Sequence, residues 1–165
     1  MIVDTRHSNE STILKPSIGF LAGIAAALLM LLILYLLQSF SKILLVEVLE
    51  RLGTIVLSGD EAPRKLVVAG VIIHLIFGGI FGLLYAVCQD QAPNNALIGV
   101  GISYGVMLWG FSSLFTYWFY SDTLRQVFHT WAWLLSSVGF GLTLAQTAIW
   151  VNKHRPKRKH IVPVD

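Results

Sequence analysis

The chain has 165 residues, of which 55% are hydrophobic and 13% charged, with a net charge of +3 and a mean hydropathy of +0.70. An ordinary soluble domain carries about twice that share of charge, so this balance argues for a chain solvated by lipid. A single cysteine, Cys88, excludes an intrachain disulfide and a multi-cysteine metal site.

Charged residues avoid four apolar stretches, residues 18–37, 66–87, 96–118 and 127–151, and crowd into the segments between them. Each stretch reaches about 20 residues, and at about 1.5 Å per residue that spans a hydrocarbon core of about 30 Å. Lipid forces the backbone to satisfy its own hydrogen bonds. With no ten-residue alternating segments to suggest a β-barrel, helices remain. The expected fold is all-α, a polytopic bundle of four transmembrane helices. Residues 1–17 form a polar N-terminal segment, 18–151 the membrane domain and 152–165 a basic tail.

The first stretch is too long for the apolar region of a signal peptide, and no small-residue cleavage site follows Gln38, so it reads as a retained span. After it comes an amphipathic segment over residues 40–52. Leu44, Leu45, Val48, Leu49 and Leu52 share one helical face, while Lys42, Glu47, Glu50 and Arg51 lie on the other. Glu47 and Arg51 stand at i,i+4 spacing, and Gly53 is a natural stop. The segment is expected to extend the first helix or to lie at the interface as a helix sealing the bundle edge; a docking surface for a partner is the alternative. Pro63 suits the first turn of the second span. Gln89 to Asn95 form a short link that makes spans two and three an antiparallel hairpin. Thr123 and Gln126 have capping-box spacing, which starts the fourth helix ahead of Val127.

Lipid supplies no hydrophobic drive between helices, so close contact depends on small residues. Gly19 and Gly23, Gly78 and Gly82, and Gly101 and Gly105 have Gly-x-x-x-Gly spacing, and Ser137 and Gly141 are the small-residue equivalent in span four. Span two carries the row Gly70, His74, Gly78, Gly82, which drifts only about 40° per step. Span four carries the parallel row His129, Trp133, Ser137, Gly141, Ala145. A shift of 59 residues superposes Phe81-Gly-Leu83 on Phe140-Gly-Leu142, a short internal repeat suggesting two related hairpins. Phe115, Tyr117, Trp118, Phe119, Tyr120, Phe128, Trp131 and Trp133 cluster where span three ends and span four begins. An interfacial aromatic belt accounts for them; a pigment or quinone pocket would use similar residues.

Two histidines are the candidates for chemistry. His74 lies about eight residues into its span and His129 about two, a separation of roughly 9 Å along the membrane normal that disfavours a shared bis-histidine haem. Either could ligate a haem or pigment metal or relay protons, whereas the structural alternative for His74 is a hydrogen bond to Ser103 or Tyr104 of a neighbouring helix. No acidic residue lies within a span, and no phosphate-binding loop, dinucleotide fingerprint, zinc-hydrolase motif or nucleophile elbow is present. The serines at 103, 112, 113, 136 and 137 are expected to bond to their own helix backbone. No enzyme, metal site or resident cofactor is expected on these grounds.

Both termini share one side. That side holds Arg6, Lys15, Lys153, Arg155, Lys157, Arg158 and Lys159, against Lys42, Arg51, Arg64, Lys65 and Arg125 on the other. The excess, concentrated in Asn152-Lys-His-Arg-Pro-Lys-Arg-Lys-His160, places the termini in the cytoplasm. The basic tail also suits anionic headgroups, and nucleic acid is not an expected partner.

The segment His74-Leu-Ile-Phe-Gly-Gly-Ile-Phe-Gly-Leu-Leu-Tyr85, followed by a third span and a fourth entered through His129, resembles small four-helix bacterial membrane proteins of the YagU-like type. The resemblance covers spans two to four and implies a bacterial cytoplasmic membrane without assigned chemistry. The leading expectation is a non-enzymatic membrane protein acting through helix contacts, as a homo-oligomer or an accessory subunit whose partners are lipid and membrane protein. The alternatives are a small transporter or channel using His74, and a haem- or pigment-binding subunit using His74 or His129.

Overall fold

A computed structural model describes residues 14–41, 44–58, 60–89, 92–93, 95–119 and 128–154; the side chains of Ser41 and of residues 116–119 are outside that description. The five helices are α1 (Pro16–Ser41), α2 (Leu45–Gly53), α3 (Pro63–Cys88), α4 (Leu97–Phe119) and α5 (Trp131–His154). Four of them, all but α2, are long and apolar enough to cross a bilayer. The protein is therefore a four-helix membrane bundle with one short amphipathic helix after the first span.

The ends differ from expectation in informative ways. α1 keeps its helix through Gln38, Ser39, Phe40 and Ser41, since nothing in that stretch breaks it. Pro63 occupies the first turn of α3, where its missing N–H costs nothing. α5 begins at Trp131, after a turn at His129 and Thr130, and the Trp133 N–H donates to Thr130 Oγ1 at 3.3 Å. Thr130 thus caps this helix. The capping-box pair Thr123 and Gln126, Val127, Tyr120 and the tail cluster Arg155 to Lys159 lie outside the described residues, as do the side chains of Tyr117, Trp118 and Phe119.

α2 is a separate helix and not an extension of α1, because Leu44 is extended (φ −87°, ψ 111°). Val48 and Leu49 are buried and Glu47 and Arg51 exposed. The i,i+4 spacing of Glu47 and Arg51 closes no ion pair; among the described residues the ion pair is Lys65 with Glu61, at 2.9 Å. A Cβ on Gly53 would overlap the Leu66 carbonyl oxygen, and one on Gly70 would overlap that of Leu49. These two contacts run in opposite chain directions, so α2 lies antiparallel along the first two turns of α3. Gly53 is required for that approach as well as ending the helix. The row beginning at Gly70 also serves two partners. It turns by about 120° between Gly70 and Gly82, so Gly70 meets α2 while Gly78 and Gly82 meet α1.

Two helix pairs touch backbone to backbone. In α1–α3, Gly19 opposes Gly82 and Gly23 opposes Gly78; in α4–α5, Gly101 opposes Gly141 and Gly105 opposes Ser137. A Cβ on Gly19 would stand 2.8 Å from the Gly82 carbonyl oxygen, and one on Gly101 2.6 Å from that of Gly141. The register is the same in both pairs. A 59-residue shift carries Gly78 and Gly82 onto Ser137 and Gly141, and an 82-residue shift carries Gly19 and Gly23 onto Gly101 and Gly105. The short sequence repeat is thus a repeat of two hairpins, α1–α3 and α4–α5, running the same way through the membrane and related by a pseudo-twofold axis along its normal.

That symmetry provides two seams between the hairpins, α1 against α5 and α4 against α3. The first is closed: the two helices pack along their length, with Gly139 against Ile33 and Ala22 and Ala26 buried. The second is not. Among the described residues the contacts of α3 with α4 are few, although the short 89–95 link makes these helices consecutive and antiparallel. The expected hairpin of spans two and three is therefore not a packed pair. A single substitution within the repeat accounts for much of the difference. The α4 residue equivalent to Ala22 is Tyr104, whose hydroxyl donates to the Phe81 carbonyl at 2.6 Å and whose ring meets Tyr85 edge-on with centroids 5.2 Å apart. Tyr104 thus stands between α4 and α3 as a side-chain spacer, and the cleft lies beyond it, toward the side opposite the termini.

Candidate functional site

The open seam between α3 and α4 leaves a cleft of about 450 Å³, within the usual range of small-molecule pockets. Each side wall is a stacked phenylalanine pair at i,i+4 spacing. Phe77 and Phe81 on α3 have centroids 6.3 Å apart, and Phe111 and Phe115 on α4 are 6.0 Å apart. The floor consists of Ala27 and Met30 of α1 with Trp133, Ser137 and Phe140 of α5. Leu52 and Ile55 border it from α2 and the turn that follows. Phe77 and Phe111, each within its span, are about half exposed (47% and 54%), so the cleft has a mouth on the flank of the bundle that a bilayer would cover.

The pseudo-symmetry explains why the cleft lies here. The small faces of α3 and α4 are already committed to α1 and α5, so the faces these helices turn to each other carry rings. Equivalent residues line both sides of the floor: His74 and Trp133, Gly78 and Ser137, Phe81 and Phe140.

Among the described residues three polar side chains, His74, Ser112 and Ser137, line this apolar space. His74 Nε2–H donates to the Ala27 carbonyl of α1 at 3.3 Å, and in a neutral imidazole this leaves Nδ1 as an acceptor with no partner among the described residues. Its bond therefore goes to a backbone carbonyl, not to Ser103, which is on the outer face of α4, or to Tyr104, which serves Phe81. Ser112 accepts from Trp133 Nε1–H at 3.1 Å and donates to the Trp109 carbonyl at 2.9 Å. Ser137 Oγ makes no hydrogen bond to any described residue. Among the other serines, Ser136 bonds its own helix at Ala132, but Ser113 donates across to the Phe128 carbonyl at 3.0 Å.

His129 is exposed in the turn before α5 and does not line the cleft, so the fold does not bring it to His74 there. Among the described residues no three His, Cys, Asp or Glu side chains gather as a metal site. Phe128 and Trp133, assigned from the sequence to an interfacial belt, pack edge to face at 4.2 Å and line the cleft. Trp131 stays exposed, as belt residues do.

Sequence reasoning missed Tyr85 and Gln89, which stand one turn apart near the other end of α3. The Tyr85 hydroxyl and both Gln89 amide atoms are buried with no partner among the described residues. Tyr104 entered the sequence reading only as a candidate partner of His74; comparing the two hairpins at an 82-residue shift would have exposed the change from Ala22.

Residues 14–159, which include all five helices, match the family of unknown function DUF6789. The chain belongs to that family. No curated protein and no solved structure gives a match. For this DUF6789 protein, then, function has to be argued from the cleft itself.

Proposed function

We propose that this DUF6789 protein is a non-enzymatic component of a bacterial cytoplasmic membrane that takes an apolar molecule from the bilayer and holds it between α3 and α4. The observation that carries this reading is the sideways mouth of a cleft walled by paired rings. Among the described residues His74 has no carboxylate or thiol beside it on the lining to form an acid–base or nucleophile pair, which supports a binding role. The nearly apolar wall also fits a bound lipophile better than the polar lane that transport through His74 would need. Cytoplasmic termini rest on the excess of Lys and Arg at that side. Kinship with YagU-like proteins rests on the Gly-Phe-Leu-rich segment of α3.

A photoactivatable fatty acid in proteoliposomes is expected to label Phe77 and Phe111 well above outward-facing Leu21 and Leu28 of α1. Uniform labelling along all helices would remove the cleft as a site.

A second reading, contact with another subunit or a second copy, is favoured by one face of α4. The small-residue pairs of all four spans are used inside the bundle, but Gly99, Ser103 and Gly110 form a row on the outer side of α4. A Cβ at Gly99 or Gly110 would meet nothing within 4 Å. Packing of helices in lipid depends on such surfaces. Gly110→Leu is expected to abolish a dimer or co-purifying subunit in mild detergent; an unchanged assembly would exclude this face.

A further inference from the structure

The cleft orders its chemistry from outside to inside. Half-exposed rings form the mouth, while the more buried lining includes His74 and Ser137, whose Nδ1 and Oγ have no hydrogen-bond partner among the described residues. His74 reaches toward α1, where its other nitrogen is anchored on Ala27, and Ser137 is almost fully buried on α5. Nδ1 can only accept a hydrogen bond in the neutral ring, whereas a serine hydroxyl donates and accepts. Together they suit a ligand hydroxyl that donates to the imidazole and receives from the serine.

We propose that the cleft binds a ring-headed lipophile bearing a hydroxyl, of the prenylated phenol or hydroquinone class, with the ring inside and the hydrocarbon tail leaving through the mouth. This rests on the reading of the cleft as a lipophile site and specifies its ligand. Stacked pairs on opposing walls, Phe77 with Phe81 and Phe111 with Phe115, offer flat aromatic faces to a planar ring. The volume of about 450 Å³ holds such a head with the first part of its tail. Among the described residues no lysine or arginine lines the cleft, so these walls offer a phosphate or carboxylate headgroup no compensating charge. A plain hydrocarbon chain would leave both polar atoms unpaired.

The test uses the full chain in mild detergent and three probes: a hydroquinone with one prenyl unit, its dimethyl ether, and palmitate. Binding is read as a concentration-dependent rise in Tm. The hydroquinone is expected to bind at one site, and the ether roughly threefold to tenfold more weakly, the worth of one net hydrogen bond. Ser137→Ala removes a hydroxyl with no hydrogen bond to any described residue, and it should weaken the hydroquinone and the ether alike by a similar factor, since methylation leaves the ligand oxygen able to accept from the serine. If all three probes bind alike, or palmitate binds best, the lipophile site stands and the proposed ligand class is overturned. If none binds, both readings fail. Because the ether comparison needs no substitution, a poorly folding variant would not rescue the idea.

Discussion

Replacing Gly23 with valine is expected to cost about 3 kcal/mol or more and to separate α1 from α3, since overpacking is most severe where nothing can yield. The new Cβ would overlap the Gly78 carbonyl oxygen and crowd Gly82 Cα at 2.9 Å, both backbone atoms of the facing helix. A flexible side chain could move aside; a helix backbone moves only as a whole. In lipid that displacement has no hydrophobic compensation, because tails wet the separated faces as well as they wet the closed ones. Gly110→Ala is the matched control, for its Cβ enters open space. It is expected to be neutral or to gain up to about 1 kcal/mol from helix propensity. Unfolding of both variants in detergent decides the matter. Equal stability would mean that α1 and α3 are not paired through Gly23.

Tyr104→Ala is expected to lose about 3 kcal/mol, in the range for truncating a buried aromatic side chain, while Tyr104→Phe should lose about 1 kcal/mol for the hydrogen bond to Phe81. The two variants separate the ring from the hydroxyl. The ring packs on Tyr85 and holds α4 away from α3, so its removal gives this seam the residue that Ala22 provides in the closed one. Photolabelling of Phe77 and Phe111 by the fatty acid should therefore fall in Tyr104→Ala and persist in Tyr104→Phe. If labelling survives in both, the spacer is not what keeps the cleft open.

The spans were legible in the sequence because a bilayer imposes length and apolarity on any crossing helix. The small-residue rows were legible too, as candidates for close approach. Which rows meet which was not, since spacing defines a face and not its partner. Gly70 belongs by spacing with Gly78 and Gly82, yet it faces α2 because a four-residue row winds slowly around the helix. The partner of His74 was hidden for a different reason: it is the carbonyl of Ala27, and a backbone acceptor leaves no mark on residue identity. The repeat was visible at one shift only. Its second shift, through Gly101 and Gly105, was needed to see that Tyr104 stands where an alanine would let the seam close.

The one-sided opening makes the two leaflets unequal neighbours. Near the termini α3 and α4 are joined through Tyr104 and Tyr85, while the cleft lies toward the other side. A molecule held there would share its surroundings with the lipids of one leaflet, so the packing of that leaflet would enter the balance between a filled and an empty site.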